Sequence, residues 1–236
     1  RVLICTHDNP DPDSIASAFA LGRLLQVRCA CDFALAYSGV LGRAENRAMV
    51  RLLRIPIKPI ARVDFADFDV IGLVDTQLDA GNHAMTLERT SGKVVLCIDH
   101  HRAREKIRDV DFSDVGGRFG ATSTLLATYL HVANVVPDVI LATALFYGLK
   151  SDTRDLGREV SQADHWAYGH LVDMTDMPTV SAIEHPVMPR EYFSMLVRAI
   201  KSAKVRDNVV TCDLGPVYAP DMVAESADRL LSAEGM

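Results

Sequence analysis

Short apolar runs alternate with longer segments of helical spacing through roughly the first 150 residues. The apolar runs are short and continuous, which is typical of strands buried on both faces of a parallel sheet. They lie at residues 2–6, 31–37, 70–74 and 93–98. The segments with helical spacing are residues 14–26, 43–53, 122–132 and 138–149. This alternation predicts βαβ units, and hence an α/β domain in which helices cover both faces of a parallel sheet.

The pattern changes after Asp152. Here the predicted elements are helices at 161–173, 191–204 and 221–231 and a strand at 208–212. The stretch 177–189 contains three prolines and is predicted to be a linker. We therefore expect a first domain over residues 1–176, the linker, and the start of a second α/β domain over residues 190–236.

Composition and charge restrict the class of protein. The chain has 236 residues, 49% of them hydrophobic, and a formal net charge of −6. The acidic balance argues against long duplex DNA as a partner, because phosphate contacts need basic surface. No apolar run is long enough for a membrane helix, and the first residues show no signal-peptide pattern. Five scattered cysteines indicate a reducing compartment, and we expect a cytoplasmic protein.

A cluster of metal-ligand residue types follows the first predicted strand. It contains His7, Asp11 and Asp13 in a loop that also holds two prolines. Each proline favours an extended conformation for the residue before it, Asn9 and Asp11, so Asp11 and Asp13 should project to the same side. A helix N-cap is the alternative role for Asp13, but it leaves His7 and Asp11 unexplained. The cluster predicts metal binding.

Three further polar groups follow apolar runs. Asp75 ends the run at 70–74, the triplet 99–101 (Asp-His-His) ends the run at 93–98, and Asp152 follows the helix at 138–149. Each Asp alone is typical of a cap or turn. Two adjacent histidines behind an aspartate seldom serve core packing, because each buried ring needs dedicated partners. Together with the first cluster, they indicate a divalent-metal site.

These motifs resemble the DHH phosphoesterase superfamily. The resemblance rests on H-x-N-P-D-x-D-S at 7–14, the strand-end Asp75, the triplet 99–101 and S-D-T at 151–153. Among the branches, the chain is most similar to the bacterial nanoRNase and 3′-phosphoadenosine-5′-phosphate phosphatase group. The resemblance implies that 1–176 is a DHH catalytic domain and that 190–236 begins a DHHA1-like domain. The glycine-rich, His-containing substrate motif of that second domain is not found before Met236.

The resemblance also implies roles for individual residues. His7, Asp11 and Asp75 would hold one ion; the second ion would be held by Asp13, Asp75, His100 and Asp152. Both ions are expected to be Mn²⁺, with Mg²⁺ or another divalent ion as the alternative. The catalytic assignments are Asp99, which orients a histidine ring, and His101, which faces the substrate. The implied reaction is attack of a hydroxide on phosphorus between two metal ions.

Weaker signals concern substrate contacts. A glycine-rich turn at 116–120 opens a helix whose first N–H groups could bind phosphate, which makes Thr122 and Ser123 candidates. Arg118 in that turn and Arg154 after the fourth motif are candidate phosphate partners. The alternative for the turn is a helix cap, and for either arginine a surface position. The basic run at 102–108 is either a solvated edge or a funnel for a short polyanion.

The leading hypothesis is a phosphoesterase that hydrolyses short oligoribonucleotides and also 3′-phosphoadenosine-5′-phosphate. The partner is then a short oligoribonucleotide or a small phosphorylated nucleotide, with neither long duplex DNA nor a membrane. One alternative is a manganese-dependent inorganic pyrophosphatase, which shares the four motifs. Another is a non-catalytic nucleotide-binding regulatory module. The sequence leaves the oligomeric state open, a homodimer included.

Overall fold

The computed structural model describes residues 1–104, 109–158, 160–188, 190–207, 209–217 and 221–231. The strands are β1 (Val2–Cys5), β2 (Phe33–Tyr37), β3 (Ile57–Pro59), β4 (Val70–Val74), β5 (Val94–Asp99), β6 (Phe112–Val115), β7 (Lys204–Arg206) and β8 (Val209–Thr211). The helices are α1 (Pro12–Cys29), α2 (Ala44–Leu52), α3 (Leu87–Thr90), α4 (Thr122–Val132), α5 (Val139–Asp152), α6 (Gln162–Val172), α7 (Met177–Glu184), α8 (Arg190–Ser202) and α9 (Asp221–Leu231).

Strands β1 to β6 form one parallel sheet in the order β3-β2-β1-β4-β5-β6. The chain proceeds outward from β1 to β3 on one side, returns to the centre at β4 and proceeds outward to β6. The carboxyl ends of β1 and β4 therefore lie where the direction of winding reverses, which is where open α/β sheets bind ligands. Strands β7 and β8 form a separate antiparallel pair.

Successive residues of the central strands belong to two different cores. Val2 and Ile4 of β1 belong to the larger cluster, with residues of α1, α4 and α5. Leu3 and Cys5 belong to a smaller cluster, which includes Phe68 next to a short 3₁₀ turn. This burial on both faces explains why the strands appear as continuous apolar runs in the sequence. The prediction of a parallel α/β fold with helices on both faces is confirmed.

The two edge strands, β3 and β6, are absent from the sequence prediction. Strand β3 has three residues and ends at Pro59, and β6 reads Phe-Ser-Asp-Val with an exposed first half. Edge strands of this kind lack an apolar run because only part of their surface is buried. Helices α4 and α9 coincide with their predicted ranges. Among the described helices, none is long and apolar enough to cross a lipid bilayer.

Part of the predicted linker is helical. Helix α7 occupies Met177–Glu184, is capped by Asp176 and carries proline in its first turn. Its Val180 and Ile183 are buried in the larger cluster. The prolines that suggested a linker therefore include one that starts a helix, where proline is well tolerated. The predicted domain boundaries stay a prediction.

Candidate metal centre

The six predicted metal ligands come together at the carboxyl edge of the sheet. Within the described part of the chain, three groups of side chains each bring their ligand atoms within 4.8 Å of one another. They are His7 with Asp11 and Asp75; Asp13 with His100 and Asp152; and Asp75 with His100 and His101. The ligands come from the ends of β1, β4 and β5, the first turn of α1 and the last residue of α5. A cavity of about 360 Å³ opens beside them.

The loop after β1 presents its carboxylates differently from the prediction. Asn9 has φ +56°, so the expectation of an extended Asn9 is wrong; the side chain of Asn9 accepts a hydrogen bond from Val40 N at 2.8 Å. Asp11 is extended as expected and is itself the N-cap of α1: its Oδ1 accepts from Ser14 N at 2.9 Å. Asp13 is therefore not the cap. Proline at the first helical position lets the helix begin directly after Asp11.

Asp13, in the first turn of α1, is buried against the start of α4. Its Oδ2 accepts a hydrogen bond from Thr122 N at 2.7 Å, and its Oδ1 accepts one from Ser123 N at 2.8 Å. The positive end of the α4 dipole thus faces a carboxylate. These two N–H groups fix the orientation of Asp13 beside His100 and Asp152.

Asp75 lies between the first two ligand groups. Its backbone has φ +58°, which is uncommon outside glycine and turns the carboxylate out of the strand direction. Its Oδ2 lies 3.4 Å from His7 Nε2, and its Oδ1 lies 3.6 Å from His100 Nε2. Thr122 Oγ1 donates to Asp75 Oδ1 at 2.9 Å. One carboxylate therefore faces both ligand groups, as a bridging ligand would.

Two histidines are held in the tautomer that suits metal binding. His7 Nδ1 lies 2.8 Å from the carbonyl oxygen of Asp8, and His100 Nδ1 lies 3.1 Å from that of Phe119. A carbonyl oxygen only accepts, so each Nδ1 carries the hydrogen and each neutral ring has its lone pair on Nε2. Both Nε2 atoms point at the carboxylates. Hydrogen bonds of this kind orient histidine ligands in metal sites.

His101 has different surroundings. Its Nδ1 hydrogen-bonds Asp99 Oδ1 at 2.8 Å, and its side chain is 61% exposed in the cavity. The hydrogen bond to Asp99 raises the pKa of His101 to about 9. The buried Gln77 donates from Nε2 to Asp99 Oδ2 at 2.8 Å, so both oxygens of Asp99 are occupied. Asp99 thus orients the ring of His101, and its part in catalysis stays a prediction; His101 also lies near Asp75 and His100.

The electrostatics of the cluster suit a divalent cation. Burial raises the pKa of Asp13 well above its usual range, and the charges of Asp75 and Asp152 raise it further. Burial also raises the pKa values of Asp75 and Asp152. For His7, hydrogen bonds from Nε2 to Asp11 and Asp75 outweigh the opposing effect of burial and raise the pKa to about 11, and a cation bound at Nε2 would replace the proton there. Clustered carboxylates of this kind repel one another, and a cation relieves the repulsion. The donor set of carboxylate oxygens and imidazole nitrogens fits such an ion.

The structure gives Thr122 and Ser123 a role different from the predicted one. Both are fully buried, and both N–H groups are donated to Asp13. The N–H of Gly120 in the preceding turn is donated to Asp164. These amides are therefore not available to a phosphate group. We correct the expectation: Thr122 and Ser123 support the ligands and do not contact substrate.

The predicted arginines lie near the site to different degrees. Arg118 forms an ion pair with Asp114 at 2.6 Å and is largely exposed, so it occupies the surface position that was the alternative to phosphate contact. Arg154 lines a second cavity, which it shares with the ligands Asp11 and Asp152. In the basic run, Arg102 and Arg104 line the first cavity. Lys106 and Arg108 lie outside the described residues.

Three residues near the site form supporting hydrogen bonds that the sequence did not predict. Gln77 supports Asp99, and Arg158 Nη1 donates to the carbonyl oxygen of Asp152 at 2.9 Å. The buried Asp164 accepts from Gly120 N and from Thr124 Oγ1, which fixes the turn before α4. A capping box, Ser161 with Asp164, was a usable sequence signal for that residue. Gln77 and Arg158 have no comparable local signal.

The fold and this cluster define a class: an α/β protein with a divalent-metal site at the carboxyl edge of a parallel sheet. The model of the DHH family N-terminal domain matches residues 1–149, which is more than half of the chain. The chain belongs to the DHH family. The prediction of the DHH superfamily is thereby confirmed, and the nanoRNase branch stays a prediction.

Among the proteins similar to this chain are a sequence relative and a protein of solved structure. An uncharacterized protein of Methanocaldococcus jannaschii is 35% identical over 236 residues, which are all of this chain and 48% of that protein. The chain thus spans about half the length of this relative. A solved structure of an exopolyphosphatase-related protein from Bacteroides fragilis matches with a TM-score of 0.68. At 16% identity, covering 87% of this chain and 62% of that one, it shows the same fold.

Proposed function

We propose that this protein is a divalent-metal-dependent phosphoesterase, with Mn²⁺ as its preferred ion, that hydrolyses short oligoribonucleotides and also 3′-phosphoadenosine-5′-phosphate. One observation carries the proposal: the two oxygens of Asp75 face His7 and His100, each in a separate ligand group. Membership of the DHH family supports a metal-dependent phosphoesterase. The formal net charge of −6 supports a short substrate over long duplex DNA.

The residues divide into holders of metal and a group that faces the substrate. His7, Asp11 and Asp75 would hold one ion, and Asp13, Asp75, His100 and Asp152 the other. Two bound divalent cations would activate water and neutralise charge on the phosphoryl group. His101 is oriented by Asp99 and faces the cavity, where its ring can donate a proton to the leaving oxygen.

A substrate panel under saturating Mn²⁺ tests the substrate class. The panel contains the 5′-phosphorylated dinucleotide pApA, 3′-phosphoadenosine-5′-phosphate, inorganic pyrophosphate and polyphosphate. We expect release of mononucleotides from pApA and of phosphate from the bisphosphate. Preferential hydrolysis of pyrophosphate with pApA left intact would instead favour the pyrophosphatase alternative and overturn the proposal.

Substitution of the bridging carboxylate tests the mechanism. We predict that Asp75→Asn lowers kcat/KM by about 100-fold or more, because the amide cannot supply two anionic oxygens to two cations. The matched control is Asp173→Asn, at an exposed position outside the site. The control should keep wild-type kinetics. Unchanged hydrolysis by Asp75→Asn, with purity verified, would contradict a two-metal mechanism.

A further inference from the structure

A second cavity adjoins the candidate ligands. It has a volume of about 540 Å³, and it shares Asp11 and Asp152 with the cavity that contains His101. Three arginines, Arg43, Arg154 and Arg158, line it. Binding pockets for small ligands commonly have volumes of several hundred Å³. This cavity is therefore large enough for part of a substrate whose reacting phosphate lies at the ligands.

Two of these arginines are carried by an unusual loop. Arg154, Asp155 and Leu156 are three consecutive residues with φ of +50°, +58° and +63°, and none of them is glycine. L-residues avoid the left-handed region, and a run of three is rarely formed without surrounding support. Residues held in such a conformation cluster at functional sites.

Hydrogen bonds hold this loop to the helix that ends in Asp152. The buried Thr153 donates from Oγ1 to Leu149 O at 2.7 Å and accepts from Leu156 N at 3.1 Å. Tyr168 donates to Asp155 Oδ1 at 2.7 Å. The left-handed turn lets the chain reverse directly after α5, so that both Arg154 and Arg158 reach the cavity. The loop thus places two guanidinium groups beside one candidate ligand.

The charges in this cavity would favour binding of an anion when Asp11 and Asp152 hold metal ions. Its charged lining consists of the three arginines and the carboxylates of Asp11, Glu45 and Asp152. Under the proposed function, Asp11 and Asp152 would be neutralised by cations, and the lining would then contain more guanidinium groups than uncompensated carboxylates. Arg158 is anchored by its bond to Asp152 O at 2.9 Å, while its distance to Asp152 Oδ1 is 3.7 Å. Its position therefore depends mainly on the backbone and not on the Asp152 carboxylate.

We propose that Arg154 and Arg158 form an anion subsite that binds a second phosphate group of the substrate, next to the phosphate held at the metal ligands. This inference rests on the proposed function and makes it more specific. The substrates are then phosphate esters that carry a second phosphate group, as both pApA and 3′-phosphoadenosine-5′-phosphate do. Guanidinium groups suit this task because they form paired, charge-assisted hydrogen bonds with phosphate oxygens.

Dinucleotides that differ by one phosphate group test the subsite. The three probes are ApA, pApA with a 5′-phosphate and ApAp with a 3′-phosphate, all measured under saturating Mn²⁺. We expect the wild-type protein to favour one phosphorylated form over ApA through a lower KM. In Arg154→Gln and in Arg158→Gln, KM for that form should rise about 10- to 100-fold, the change expected for a lost charged hydrogen bond. ApA lacks the additional phosphate group, so KM for ApA should change less in both variants than KM for the phosphorylated form.

Two controls separate this subsite from the metal site. Arg51→Gln changes an exposed arginine on α2 outside both cavities and should leave all three substrates unaffected. Titration with Mn²⁺ should give the same affinity for Arg154→Gln and Arg158→Gln as for wild type. A loss of Mn²⁺ affinity in both variants would assign these arginines to the metal site and overturn the subsite.

Failure of the subsite is distinguishable from failure of the proposed function. If wild-type protein cleaves none of the dinucleotides, the proposed function fails, and calorimetric binding of the same three probes then tests the subsite. Tighter binding of a phosphorylated form, lost in both arginine variants, would still support it. Equal affinity of wild type for all three probes, or a preference that both variants keep, would overturn it.

Discussion

At the scale of single residues, Thr122 forms hydrogen bonds with members of all three ligand groups. Its hydroxyl donates to Asp75 Oδ1 at 2.9 Å and accepts from His100 N at 3.2 Å, while its own N–H donates to Asp13. It thereby contacts three candidate ligands although it offers no ligand atom in any of the three groups. Partners of this kind influence metal affinity because they orient the ligands.

We predict that Thr122→Val lowers the affinity for Mn²⁺ about 10- to 100-fold. Valine keeps the shape of threonine but removes the donor to Asp75 and the acceptor for His100. The affinity can be measured by titration with Mn²⁺ and electron paramagnetic resonance. The control is Thr128→Val on the same helix, because the Thr128 hydroxyl donates only to Thr124 O in the preceding turn. Wild-type affinity in Thr122→Val would show that Asp75 does not need this hydrogen bond.

At the scale of elements, three helices meet closely behind the ligands. A Cβ atom placed on Gly148 of α5 would lie 2.5 Å from Ser123 Oγ of α4 and 3.1 Å from Ala16 Cβ of α1. It would also lie 3.1 Å from Asp13 Cα. The absence of a side chain at Gly148 therefore allows α5 to approach the two helices that position Asp13.

Two glycine-to-alanine variants test this packing. We predict that Gly148→Ala lowers the free energy of unfolding by about 1–3 kcal/mol, because the added methyl group overpacks the contact. Gly169→Ala on α6 is the matched control, since nothing lies within 4 Å of its added Cβ. It should raise the free energy of unfolding by up to about 1 kcal/mol, because alanine favours helix. Urea denaturation measures both, and equal changes in the two variants would contradict the close approach of α5.

At the scale of the whole molecule, the reactivity of two buried cysteines depends on whether the central sheet is folded. Cys5 ends β1 and Cys97 lies in β5, and burial raises the pKa of each thiol to about 12. Cys29 and Cys212 are exposed, and Cys31 is partly exposed. Because the thiolate is the reactive form, the two buried thiols should be protected while the sheet is folded.

We predict that Ellman's reagent at pH 8 modifies three thiols of the native protein and that Cys5 and Cys97 react only after unfolding in urea. Each of the variants Cys5→Ala and Cys97→Ala should remove one thiol from the protected class. Rapid modification of all five thiols without denaturant would contradict the burial of the central strands.

The prediction of the ligand residues depended on local pattern. Each candidate ligand follows an apolar run or a helix, and parallel strands end at a common edge, so the approach of Asp75 to His100 could be expected. The cap of α1 could not be assigned in the same way, because Asp11 and Asp13 both precede helical residues. Pro12 decided between them by its position at the start of the helix.

The sequence by itself determined the family, the parallel α/β fold and the residue types that converge on a metal site. These follow from local apolar periodicity and from motifs within short stretches. Only the tertiary structure decided that Thr122 faces Asp75, that Asp13 caps the start of α4, and that residues 154–156 turn left-handed beside the ligands. The reason is physical: these features depend on contacts between positions far apart in the chain, such as the 109 residues that separate Asp13 and Thr122. Spacing along the sequence does not encode which of the buried polar groups will become partners.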